Sequence, residues 1–174
     1  MKIVLVALLF ATSAFAQSQY APLPIACGPD KAHFEVTLDK SQHTLAQPEA
    51  GKALVYFIQD DGLYGNHQHF TVRIGSDGEW VGAYKNNSYL ALSMSPGEHH
   101  LCANVQSQFS VGSLVALAHF TAEAGKVYYF RTQFLGGMTS NEPIPPYLGL
   151  DQPDSDQAKY LIDSYPLSVS KRKK

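Results

Sequence analysis

Along most of the chain, apolar and polar residues alternate for six to ten positions before Gly, Pro, Asn or Asp interrupts them. Alternation puts every second side chain on one face, so the pattern predicts short strands joined by tight turns. Residues 33–38 (HFEVTL) read as an edge strand. Residues 53–58 (ALVYFI) are apolar on both faces, as in a central strand covered from two sides. Residues 69–74 follow, with Phe70, Val72 and Ile74 on one face. Asp77-Gly78 then suits a type I′ hairpin turn, whose two central positions need positive φ. The returning strand, 79–85, places Trp80 and Tyr84 on a shared face by alternation.

Asn86-Asn87 marks the next turn, before a strand at 88–94, and Pro96-Gly97 has the type II signature. In the strand 99–106, Leu101, Ala103 and Val105 share one face and Cys102 takes the other. Two further strands, 113–122 and 127–135, are joined by Glu123-Ala124-Gly125-Lys126. Residues 17–30 read as an extended arm, and 41–52, 60–69 and the proline-bearing stretch 136–149 as loops. One helix is expected after Pro153, from Asp154 and Asp156 at its start and the stripe Ala158, Leu161 and Ile162. Pro166 ends it, and 167–169 adds a last strand.

These elements predict an all-β fold, an antiparallel β-sandwich of about seven strands with one short C-terminal helix. A partly open barrel is the alternative. The organisation expected is a signal peptide at 1–16, an arm and edge strand at 17–52, the sandwich at 53–170 and a basic tail at 171–174.

The first residues change the picture from fold to compartment. Lys2, the apolar run 3–10 and Ala14-Phe15-Ala16 form a signal peptide with a cleavage site before Gln17. The run is too short to span a bilayer, which takes ~20 residues, and no transmembrane segment is expected in the mature chain. Export to the periplasm or the exterior places the two cysteines in an oxidising compartment, where Cys27 is expected to pair with Cys102. Cys27 follows Pro24-Ile25-Ala26, a poor lipid-attachment signal, so free secretion is favoured over a lipoprotein. The formal net charge of −2 offers no basic field for nucleic acid. Ten Tyr, nine Phe and only 16% charged residues suit strands.

Candidate chemistry is sparse. His67 and His69, two positions apart, would point the same way on a strand and are weak candidates for a metal, which needs three or four ligands. No cofactor is expected. The chain has no Gly-x-Ser-x-Gly elbow, His-Glu-x-x-His helix or phosphate-binding glycine loop. Asp60-Asp61 precedes Gly62 and reads as a solvated turn, not as a pair of glycosidase carboxylates. Trp80 and Tyr84, with Tyr89, Tyr128 and Tyr129 nearby on strands, are candidates for an outward aromatic face, although most rings should be needed for burial. The function expected is that of a monomeric, non-enzymatic envelope module with a binding or structural role, its partner an unidentified protein or glycan. The alternatives are a small-ligand or glycan-binding domain using Trp80 and Tyr84, or a metal-dependent hydrolase.

The order of these pieces resembles domain of unknown function family 2846, a group of bacterial exported proteins. The resemblance rests on the strand 53–57, the hairpin 72–82 (VRIGSDGEWVG), Tyr89 and Ser95-Pro96-Gly97-Glu98-His99. It continues through Glu123-Ala124-Gly125-Lys126-Val127-Tyr128-Tyr129 and the ending 148–169, with its helix and Pro166-Leu167-Ser168-Val169. Covering roughly 50–170, it implies a small β-sandwich, no known activity and no catalytic residues to transfer. Many members look like lipoproteins, and this chain departs there.

Overall fold

In a computed structural model, the chain is described at residues 24–29, 32–41, 45–60, 70–106, 114–138 and 143–174. The leader 1–16 and the weak metal candidates His67 and His69 lie outside the described residues. In chain order the elements are β1 (Phe34–Asp39), β2 (Ala53–Gln59), β3 (Thr71–Ser76), β4 (Glu79–Lys85) and β5 (Ser88–Met94). Then come β6 (Gly97–Gln106), β7 (Val115–Ala122), β8 (Val127–Met138), β9 (Pro143–Asp151), α1 (Ser155–Ser164) and β10 (Leu167–Arg172).

The strands form two sheets, ordered β1-β10-β5-β2-β8-β9 and β4-β3-β6-β7. The fold is the all-β sandwich that the alternation predicts, with ten strands among the described residues rather than about seven. The small sheet is antiparallel throughout. The large sheet is mixed, because β2 pairs parallel with β8, and β10 with β5. Between β2 and β8 the chain builds the small sheet, returning once for β5 antiparallel to β2, and β8 then re-enters the large sheet in the same direction as β2.

Every residue of β2 is buried. Its odd positions, Ala53, Val55 and Phe57, face the space between the sheets with Val72, Ile74, Tyr84, Leu101, Ala103 and Phe130. Its even positions, Leu54, Tyr56 and Ile58, lie on the outside of the large sheet under Ala158, Leu161 and Ile162 of α1. The helix starts as the acidic signal predicts: the Asp154 carboxylate accepts from the Asp156 and Gln157 N–H groups, both at 3.0 Å. Such a cap satisfies donors that a helix start otherwise leaves open.

Two local expectations are overturned. The proline-bearing stretch 136–149 is not a loop throughout, since β8 runs to Met138 and Pro143–Asp151 is strand β9. β9 lies at the sheet edge, where a proline's missing N–H costs no ladder bond on the outer side. The second concerns β4. Ile74 pairs with Gly82 but Gly75 pairs with Trp80, so Val81 is an extra residue on that strand. A bulge of this kind reverses the side-chain parity beyond it. Tyr84 therefore enters the core between the sheets, while Trp80 joins a separate cluster with Cys27 and Cys102.

Phe57 is fully buried and stacks on Phe130 at 5.7 Å between ring centroids. Phe57→Ala should lower the unfolding free energy by about 3–5 kcal/mol in denaturant titration. Val169→Ala, at a half-exposed site on β10, should change it by less than about 0.5 kcal/mol.

Candidate functional site

Residues 24–29 and 32–36 form a strap that packs on Trp80, Ala83 and Cys102, on the face of the small sheet turned away from the main core. The strap begins with a turn in which the Cys27 N–H donates to the Pro24 carbonyl at 2.9 Å. Cys27 and Cys102 form a disulfide, with Cα atoms 5.1 Å apart, and no described cysteine is free. The Trp80 indole N–H donates to the Pro29 carbonyl at 2.8 Å. Gly28 crosses the indole so closely that a Cβ there would overlap Trp80 Cδ1.

Arg73 completes this cover. Its guanidinium carbon lies 4.1 Å from the Trp80 ring centroid, Nη1 donates to the Ala32 carbonyl at 2.6 Å, and Nε to Asn104 Oδ1 at 2.8 Å. Further along, Gln106 Oε1 accepts from the Phe34 N–H at 2.7 Å and Nε2 donates to the Phe34 carbonyl at 2.8 Å. The carboxamide thus stands in for one rung of a ladder at the edge of β1.

Trp80 and Tyr84 therefore form no outward aromatic face. Trp80 is 6% exposed beneath the strap, and Tyr84 is 0% exposed on the opposite side of β4. The Tyr84 hydroxyl hydrogen-bonds Thr132 Oγ1 at 2.9 Å, and burial pushes its phenol pKa well up. Tyr84 belongs to a buried polar layer at one end of the sandwich, with Gln59, Ser88, Thr132 and Ser168. Ser88 Oγ and Ser168 Oγ are 2.7 Å apart, and Gln59 Nε2 donates to Asn86 Oδ1 at 2.8 Å. Gln59 Oε1 is buried without a hydrogen-bond partner among the described residues. Amides, hydroxyls and a neutral phenol can hold strands together, but they supply no general base near neutral pH.

A Ser, His and Asp do meet elsewhere, at the turn between β3 and β4. Asp77 and Gly78 occupy the predicted turn with φ of 54° and 89°. The Asp77 carboxylate accepts from the His100 N–H at 2.8 Å and from the Ser76 hydroxyl at 2.9 Å, and it lies 2.7 Å from His99 Nδ1. Ser76 Oγ also lies nearest that nitrogen, at 3.4 Å. A hydrolytic triad needs its acid on one ring nitrogen and its serine on the other. Here both crowd Nδ1, while Nε2 is held 2.8 Å from the Ser95 carbonyl.

Carboxylate and carbonyl can only accept, so both contacts are hydrogen bonds only when both ring nitrogens carry a proton. Burial disfavours the charged ring, but the Ser95 carbonyl and Asp77 together outweigh it and hold the His99 pKa above its usual value. Burial likewise disfavours the Asp77 carboxylate, and the His100 N–H, His99 and Ser76 outweigh it and hold that pKa low. The trio is a latch that ties the β3–β4 turn to the start of β6.

The other described histidines of β6 and β7 are on the surface. His100 faces His119 across the ladder at 6.4 Å between ring centroids, with Glu98 Oε1 3.7 Å from His100 Nε2. No group of three His, Cys, Asp or Glu among the described residues is placed to hold a metal ion. Sequence reading missed the latch, Arg73 and Gln106. Asp77 was visible only as a turn residue, and nothing local links it to a histidine 22 positions on.

Residues 49–143 match the family described as "Protein of unknown function (DUF2846)", and the chain belongs to that family. The matched region holds β2 through β8 and reaches the first residue of β9; Cys27, α1 and β10 lie outside it. No curated protein and no solved structure matches the chain.

The latch predicts a pH dependence whose sign follows from its two shifts. The His99 contribution is complete below the unfolded pKa of about 6.5 and fades as pH rises through the higher folded value. The Asp77 contribution is complete above about 3.9 and fades as pH falls through the lower folded value. Between mildly acidic and mildly alkaline pH, the wild type should lose up to about 1 kcal/mol more than His99→Gln, Asp77 being partly exposed. Denaturation midpoints measured across that range check this, and parallel profiles for the two proteins would exclude the latch.

Proposed function

We propose that this member of the family is an exported, non-enzymatic β-sandwich module with a binding or structural role in the cell envelope, periplasmic or extracellular. The observation that carries the reading is the disulfide that fastens the strap to β6. Cytosolic thiols are kept reduced, so a structural disulfide that holds a strap to a sheet fits an oxidising compartment. It joins residues 75 positions apart, which corresponds to about 4 kcal/mol in the chain-entropy account. The leader read at 1–16 supplies the route to such a compartment.

The non-enzymatic part is supported by how the polar constellations are spent. The Ser76–Asp77–His99 trio directs its imidazole to a backbone carbonyl, and the buried polar layer around Tyr84 is neutral. A surface partner, protein or glycan, is what this chemistry leaves.

Expression of the full chain in a bacterial host, followed by fractionation and intact-mass analysis, tests the reading. The expected product lies outside the cytoplasm, begins at Gln17 and reacts with a thiol reagent only after reduction. A cytoplasmic chain retaining residues 1–16 with two alkylatable cysteines would overturn export. Hydrolysis of simple esters or amides that disappears in Ser76→Ala would overturn the non-enzymatic assignment.

A further inference from the structure

The chain is acidic overall, with a formal net charge of −2, yet four consecutive cations, Lys171, Arg172, Lys173 and Lys174, meet at one corner. The fold fixes their position. β10 runs through Arg172 in antiparallel register with β1, and the Lys173 N–H donates to the His33 carbonyl at 2.8 Å. All four residues are exposed, and none forms an ion pair among the described residues. Glu35 sits opposite Lys171 in the ladder and offsets its charge, so Arg172, Lys173 and Lys174 supply the positive excess of the corner.

Along β10 the pleat puts Val169 and Lys171 on one face and Arg172 on the other, with Lys173 and Lys174 beyond the strand end. Val169, two residues before Lys171, is 50% exposed and pairs with the exposed Thr37. A row of cations beside an exposed aliphatic side chain matches an interface with phosphates on one side and acyl chains on the other. A soluble polyanion would use the cations but not the valine.

We propose that the β1–β10 edge docks on a bilayer surface rich in anionic phospholipid, with Lys171–Lys174 at the headgroup phosphates and Val169 toward the acyl boundary. The acidic remainder of the molecule is repelled by the same surface, and this orients the sandwich with the basic corner down. The inference rests on the envelope reading for its biological setting. Vesicle binding is measured without reference to export, so either can fail alone.

The test is co-sedimentation of the purified protein with vesicles of equal parts phosphatidylcholine and phosphatidylglycerol. Binding should be clear at low salt, weaken as salt rises, and be absent with phosphatidylcholine alone. Each cation near such a surface contributes about fivefold, so replacing all four by Gln should reduce affinity by roughly 600-fold, nearly three orders of magnitude. Lys173→Gln with Lys174→Gln, both beyond β10, should cost about twentyfold while leaving the strand untouched. Val169→Asn should weaken vesicle binding severalfold and leave any binding to polyphosphate unchanged. Equal binding to neutral vesicles would overturn the proposal. So would unaltered binding in the Lys173/Lys174 double variant, or polyphosphate binding as strong as vesicle binding with no response to Val169→Asn.

Discussion

The burial of β2 on both faces is the constraint from which the rest of the architecture follows. A strand reading ALVYFIQ with every residue buried cannot sit in a sheet that has one wet side. At about 1.5–3 kcal/mol for each large apolar side chain, either row left exposed would forfeit several kcal/mol, comparable to the stability margin of a small domain. One row is covered by the small sheet, and that requires the chain to leave the large sheet, build β3 and β4, return for β5, and then add β6 and β7 before β8. The parallel pairing of β2 with β8 is the trace of this excursion. The other row is covered by α1, so the one described helix comes late, once Leu54, Tyr56 and Ile58 have their strand neighbours.

The same problem recurs, smaller, on the outside of the small sheet. The bulge at Val81 turns Trp80 away from the main core, and an indole on an open sheet face needs its own cover. The strap provides it, fastened at Cys102, Pro29, Ala32 and Phe34 by a disulfide, an indole N–H, a guanidinium and a carboxamide. Phe34 and Val36 bury their side chains against Trp80, but the stretch before them depends on its fastenings. Gly28 and Pro29 bring little to bury, and Ile25 points into solvent. Polar residues that look available for chemistry are largely used in this way, as fasteners of edges and turns.

What was legible in the sequence was the local part. Alternation located strands, Asp77-Gly78 located a hairpin, the apolar run marked the central strand, and Asp154 marked the start of the helix. Cys102 was placed opposite Leu101 and Ala103, where it is found. The pairing with Cys27 was expected from the compartment read at residues 1–16, and the two cysteines are joined. Alternation failed at Val81, because a single extra residue leaves no mark in a half-polar strand but reverses everything beyond it. It failed again at β9, where Pro143, Pro145 and Pro146 spoke against a strand although edge position tolerates them. The pairing of sheets lay out of reach, as did the meeting of Asp77 with His99 and of Gln106 with Phe34, because each depends on partners distant in the chain.

The latch shows why residue type and proximity together do not amount to catalysis. Ser76, Asp77 and His99 lie within hydrogen-bonding reach of one another, and such a cluster would pass a search by composition and distance. What separates it from a hydrolytic centre is which nitrogen each neighbour meets. With acid and serine both at Nδ1, and a carbonyl at Nε2, the ring can neither take the serine proton nor pass one to a leaving group. The carbonyl has a second effect: it rewards the imidazolium, the form that has already surrendered its capacity as a base. The features that make the cluster a good fastener, acid and serine at one ring nitrogen and a carbonyl at the other, are therefore not those of a hydrolytic triad.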